Sequence, residues 1–160
     1  MAKAFKKGDT ATLITSWDGK GAVVARRVTV QSCGVKRMTL TDTETGECLG
    51  CNFRPALGDV NEATRGWSGT FHATDESSVQ ALAIEAASRI LAESRVRAAK
   101  RLADFVADPG PVLPQYQPKV KAELEAEVAD LKARGPRILS PAEADAEVAA
   151  QVAAHKAARS

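Results

Sequence analysis

The stretch GTFHATDESSVQALAIEAA, residues 69–87, decides the fold. Up to Ala73 the chain reads as short runs rich in Val, Thr and Ile, punctuated by Gly turns. From Glu76 onward it is Ala-rich and carries helical spacing almost to its end. Strands first and helices second imply an α+β chain or two sub-domains, not an alternating βαβ sheet. Ser77 and Gln80 have the spacing of a capping box, and Asp75 and Glu76 suit the positive end of a helix dipole. The predicted helix runs to about Ala107 and stops before Asp108-Pro109-Gly110-Pro111. Val79, Leu82, Ala86 and Ile90 share one side of it. Leu91, Ala98, Leu102 and Phe105 lie rotated by roughly a quarter turn, at ~100° per residue. The first half is therefore expected to pack on the strands and the second half on something else.

Five strands are expected upstream: Thr10–Trp17, Ala22–Ser32, Lys36–Asp42, Glu47–Phe53 and about Gly66–Ala73. Asp18-Gly19-Lys20-Gly21, Cys33-Gly34 and Thr43-Glu44-Thr45-Gly46 join the first four as tight turns. A longer loop, Arg54 to Arg65, precedes the fifth. Alternation puts Val28 and Val30, Met38 and Leu40, and Leu49, Cys51 and Phe53 on the apolar sides. They are expected to meet Leu13, Trp17, Trp67 and Phe71 in one small core. Alternation is less clean near Arg26-Arg27, which predicts a bulge or bend there.

Five short antiparallel strands joined by tight turns and opened by Lys7-Gly8-Asp9 resemble an SH3-like small barrel over residues ~7–73. A partly open OB-like barrel is the nearest rival. Both are binding platforms for peptides or nucleic acids, so the resemblance implies binding and no particular chemistry.

Downstream, Pro109, Pro111, Pro114 and Pro118 mark a stiff connector. A second helix is expected over Lys119–Ala133. Its apolar residues Val120, Leu124, Val128 and Leu131 form a narrow seam, as in a helical hairpin or short coiled coil. Ser140-Pro141-Ala142-Glu143 opens a third helix, with Ser at N-cap, Pro at N1 and Glu at N3. Its face is mainly Ala with Val148 and Val152. The organisation read from sequence is thus a barrel over 1–73, a docked helix over 74–108, a linker over 109–118 and a helical extension over 119–160.

The 160 residues carry a net charge of +2, with apolar residues at 44% and aromatics at only 4%. Ten basic and seven acidic residues give residues 1–73 a charge of +3, so the slight basic bias sits on the strands. No signal peptide or membrane-length apolar run is visible, and three Cys is an odd count for a disulfide framework. Reduced thiols in the cytoplasm are the expectation.

Cys48-Leu-Gly-Cys51 has the spacing of a zinc knuckle, with Cys33 and His72 as the remaining donors of a hypothetical site. A regular strand, however, sends Cys48 and Cys51 to opposite faces. No nucleophile elbow surrounds a Ser or Cys, and no Gly-rich phosphate loop is present, so no catalytic residue, cofactor or small-molecule substrate is expected. Arg26, Arg27, Lys36 and Arg37 on the strands, with Arg97, Lys100 and Arg101 on the long helix, are the candidate phosphate contacts of a DNA- or RNA-binding alternative. The strands offer no aromatic stacking platform for bases. The favoured expectation is a non-enzymatic protein that bridges or occludes a protein partner, or self-associates, through Val120, Leu124, Val128 and Leu131. A small accessory or inhibitor protein of a mobile element has this form.

Overall fold

The computed structural model describes residues 5–34, 37–53, 59–60, 69–73 and 76–159; side chains are described outside 51–78. It is an α+β structure: an antiparallel sheet with one short parallel addition, and three helices. The strands are β1 (Thr10–Ser16), β2 (Ala22–Cys33), β3 (Met38–Asp42), β4 (Cys48–Phe53), β5 (Asp59–Val60), β6 (Gly69–Ala73) and β7 (Arg137–Leu139). The helices are α1 (Glu76–Ala107), α2 (Gln117–Ala133) and α3 (Pro141–Ala157).

The sheet runs β4-β3-β2-β1-β6-β5. This path is open, which corrects the expected barrel: among the described residues β4 and β5 are its two ends and do not pair with each other. Register places Ala11 opposite Val28 and Leu13 opposite Arg26 on one face, and Ile14 opposite Ala25 on the other. The first face buries Phe5, Ala11, Leu13, Val28, Val30, Met38 and Leu40, with Leu49 packed alongside. That is the core the alternation predicted, apart from Cys51, Phe53, Trp67 and Phe71, whose side chains lie outside the described residues. Trp17 is a correction. It packs at the far end of the sheet against Ala22, Val24, Leu139 and Ala144, because β7 and α3 close there.

The second face carries α1. Ala83, Ala86 and Ala87 lie on Ile14 and Val23. Small residues let the helix approach closely, and this explains the Ala-rich first half. Farther along, Leu91 and Ala98 turn to Leu131 of α2, so the quarter-turn drift of the apolar stripe is a change of partner. Gly110, at φ +57, and a 3-10 turn over Pro114–Tyr116 reverse the chain between the two helices. The Pro-rich stretch is the bend of a helical hairpin.

The chain beyond α2 returns to the sheet. β7 pairs in parallel with β2, Ala22 beside Arg137 through Val24 beside Leu139. β3 pairs with β2 only from Val28 onward. The same edge of β2 therefore serves two strands in succession, with Ala25–Arg27 between them. This explains the broken alternation near Arg26-Arg27. The β1–β2 register is continuous there, and the bulge lies at Val30/Ser32 instead.

Candidate functional site

Four elements converge on the β1–β2 turn. Asp18 Oδ1 accepts the backbone N–H groups of Lys20 (2.7 Å) and Ala22 (3.0 Å), which fixes the turn. Its Oδ2 accepts Arg134 Nη1 from beyond α2 at 3.2 Å. Ser94 Oγ of α1 donates to the Gly19 carbonyl. Gly21 lies against α1 so closely that a Cβ there would stand 2.7 Å from Leu91 Cβ, and its carbonyl accepts the Arg137 N–H at 2.9 Å. One glycine thus seats α1 and starts β7.

Beside this turn lies a cavity of about 130 Å³, with Lys20, Arg97, Arg101, Asp18 and Glu127 among its lining residues. It gathers two of the expected phosphate contacts, Arg97 and Arg101, with Lys20. The charge of Arg101 and Lys20 is largely spent internally. Arg101 is 2.8 Å from Glu127, Lys20 is 3.9 Å from the same carboxylate, and Arg97 donates to Ser94 Oγ at 3.1 Å. Lys100 is exposed on α1.

Arg26 and Arg27 are elsewhere and point to opposite faces of β2, since adjacent strand residues alternate. Both line a second cavity of about 270 Å³, between the β3–β4 turn and the start of α3. Arg26 Nη1 sits 3.0 Å from Asp42 Oδ2, and Asp42 is only 4% exposed. Burial on its own raises the Asp42 carboxyl. The N–H groups of Thr45 and Glu44, with the Arg26 guanidinium, outweigh it and hold the group below its ordinary range. This pair pins the β3–β4 turn. Arg37 is exposed at the start of β3, and Lys36 lies outside the described residues. The six described basic residues form no single stripe.

The expected seam is turned inward. Leu131 is 1% exposed against Leu91 and Ala98, and Val128 packs beside it. Val120 and Leu124 are half-buried. α1 of the same chain covers Leu131, while Val120, Leu124 and Val128 keep part of their surface exposed. A residue not singled out from sequence fixes this contact. Arg95 donates from Nε to the Leu131 carbonyl at 2.8 Å and from Nη2 to those of Lys132 (3.3 Å) and Arg134 (2.8 Å). It caps the carbonyls that the end of α2 leaves without helical partners. Nothing local marks it, because its partners are 36 to 39 residues away.

Cys33 is half-buried, with Sγ 3.1 Å from the Phe5 carbonyl, and Cys48 is exposed. The Cys51 and His72 side chains lie outside the described residues. β4 is not regular: Leu40 faces Gly50 while Thr41 faces Cys48, so Leu49 is the extra residue and Gly50 takes φ +135. The opposite-face argument for Cys48 and Cys51 does not hold across that bulge. Among the described residues no three His, Cys, Asp or Glu side chains gather in a metal-binding group. Nor is any helix there long and apolar enough to cross a membrane.

Among the described residues the outward face of α1 exposes large aliphatic side chains, as α3 does with Val148 and Val152. Ile84, Val96 and Val106 are 45, 70 and 58% exposed. Ala81, Ser88, Ala92, Ala99 and Ala103 lie exposed along the same side. Sheet and α2 pack on other sides of this helix, which also carries exposed charges at Arg89, Glu93, Lys100 and Asp104. Comparison with protein-family models, curated proteins and solved structures finds no match to this chain.

Proposed function

We propose that this is a non-enzymatic protein-binding module whose working surface is the outward face of α1, and whose partner contributes an amphipathic helix. The exposure of Ile84, Val96 and Val106 on one rigid helix carries the reading. Exposed aliphatic side chains among charged residues on one helix are a common form of helix-docking surface. The strand order supports an SH3-like plan for the β-rich part: β1 to β4 follow one another and β6 returns to the free edge of β1. In this reading the sheet is a scaffold, and the helical hairpin presents the contact. Bridging or occlusion, as an accessory or inhibitor protein performs it, needs no more than such a surface.

The test is purification of the tagged chain from its native host, with Val96→Glu and Val106→Glu alongside. Both residues are solvent-facing, so the variants fold. Loss of the co-purifying protein supports the reading; retention in both variants refutes it.

The convergence of Lys20, Arg97 and Arg101 favours a second reading, contact with DNA or RNA. It expects affinity that falls steeply with salt and a shallower salt slope after charge reversal at Arg97 and Arg101. Binding that is indifferent to salt removes it.

A further inference from the structure

Ser94, Arg97 and Arg101 follow one another at spacings of three and four along α1. At ~100° per residue they fall within about 60° of one another, and all three line the cavity of about 130 Å³ beside the β1–β2 turn. Lys20 of that turn meets them there, and Glu127 and Leu131 of α2 complete the wall. Ser94 is 5% exposed. Its hydroxyl donates to the Gly19 carbonyl and accepts from Arg97 Nη2 at 3.1 Å. A buried polar side chain thus ties one guanidinium to the wall.

The cations of this lining outnumber its carboxylates. Asp18 is taken by its own turn and by Arg134 at 3.2 Å. Glu127 alone answers both Arg101 and Lys20, at 2.8 and 3.9 Å. Arg97 has no ion pair among the described residues. Like charges four residues apart on a helix repel each other, so Arg97 beside Arg101 is unfavourable unless an anion lies between them. Glu127 meets that need in part. Its partners Arg101 and Lys20 are 57 and 44% exposed, so water weakens both pairs and the carboxylate is readily exchanged. With Glu127 turned to solvent, the three cations Lys20, Arg97 and Arg101 less the one charge of Asp18 leave an excess of two.

We propose that this cavity binds a phosphate dianion, either inorganic phosphate or the terminal group of a phosphate monoester. Arg97 and Arg101 clamp it, Lys20 faces them from the turn, and Glu127 is the internal anion it displaces. Guanidinium forks match phosphate oxygens in pairs, which a single carboxylate cannot do for two arginines at once. The cavity is smaller than the roughly 300–1,000 Å³ of sites that enclose whole organic ligands, so it takes the phosphoryl group and leaves the rest of a monoester outside. A backbone phosphodiester brings one charge where the site offers two. The proposal goes beyond the docking reading and rests on neither reading above, although it shares its three cations with the nucleic-acid one. Few ligand atoms and the lost Glu127 pairs hold the dissociation constant to roughly 0.1–1 mM.

Calorimetric titration of the full chain with sodium phosphate at about pH 8, against sodium chloride of equal ionic strength, reads the affinity. Thermal unfolding reads it independently: about 10 mM phosphate should raise Tm by about 3–11 °C over the chloride control. Glu127→Gln removes the competing carboxylate and is expected to tighten binding about threefold to tenfold. Arg97→Gln is expected to weaken it more than tenfold with an unchanged circular dichroism spectrum, since Arg97 is solvent-facing. No response to phosphate in either the parent chain or Glu127→Gln overturns the proposal, as does phosphate binding that Arg97→Gln leaves intact or that Glu127→Gln weakens. A single-stranded oligonucleotide without terminal phosphate, titrated in parallel, separates the two readings of these cations. If it binds with a steep salt dependence while phosphate does not, the nucleic-acid reading stands and the dianion site falls; if phosphate binds as described, the dianion site stands whatever the oligonucleotide does; if neither binds, both fall.

Discussion

Replacing Gly21 by Ala tests the junction on which the fold turns. Gly21 has φ +102, a conformation that L-residues avoid, and adopting it costs about 1–3 kcal/mol. The added Cβ would also stand 2.7 Å from Leu91 Cβ, 3.2 Å from Cδ1 and 3.3 Å from Cγ. The nearest of these atoms is tied to the α1 backbone and cannot swing away. Relief requires the helix to move, and overpacking of this kind costs typically 1–3 kcal/mol. The two effects sum to roughly 2–6 kcal/mol, a large share of the ~5–15 kcal/mol that stabilises a domain. For a chain of this size that lowers Tm by about 4–24 °C. Gly19→Ala is the matched control. Its φ is +66 and nothing lies within 4 Å, so only the backbone cost of about 1–2 kcal/mol remains. Urea and thermal unfolding followed by circular dichroism measure both. Leu91→Ala does not rescue Gly21→Ala, because Cβ stays in place. If the two glycine variants are equally stable, α1 is not seated on the β1–β2 turn and the packing described here is wrong.

Leu131→Ala removes a side chain that is 1% exposed and is expected to cost about 2–5 kcal/mol in urea unfolding; less than about 1 kcal/mol means α2 is not docked on α1. Arg95→Ala strips the bonds to the Leu131, Lys132 and Arg134 carbonyls and should cost about 1–3 kcal/mol, and Arg95→Lys should recover little, since an ammonium lacks the planar fork; full rescue by Lys refutes the capping role. The Asp42 carboxyl titrates below its ordinary value in the folded chain, so the unfolded chain binds more protons as the solution is acidified. Its stabilisation is complete above about pH 5 and is lost as pH falls through the folded value; Asp42→Asn should flatten that acid limb of a stability–pH curve, and an unaltered limb counts against the pairing. Cys48→Ser alters an exposed thiol and should shift stability by less than about 0.5 kcal/mol; unfolding on chelation of a stoichiometric metal contradicts this.

The local features of the chain were legible because local rules govern them. Period-two alternation put Leu13, Val28, Val30, Met38 and Leu40 on one face, and they form one core. Ser140 and Glu143 make their reciprocal capping bonds at 3.2 and 2.7 Å, since both partners lie within one helical turn. The drift of the α1 stripe likewise announced two partners, though not which two.

Partnership between distant segments was decided by tertiary structure alone. Arg137-Ile-Leu139 is too short to read as a strand. It becomes β7 because β3 pairs with β2 only from Val28 and leaves the edge at Ala22–Val24 open. The same closure draws Trp17 out of the expected core and gives its Nε1 a bond to Glu147 at 3.2 Å. The seam of α2 shows four apolar residues in sequence, but their cover is Leu91 and Ala98 of α1, brought near by the bend at Gly110. Arg95 reads as one more charge on a helix until the end of α2 is set beside it. The aliphatic strip of α1 is the reverse case. Ile84, Val96 and Val106 are visible in the sequence as ordinary helix residues, and they are left exposed because the sheet and α2 pack on other sides of the helix. Sequence fixes what a residue offers to its near neighbours; whether that offer is taken up or left to solvent depends on which distant segments the fold brings to it.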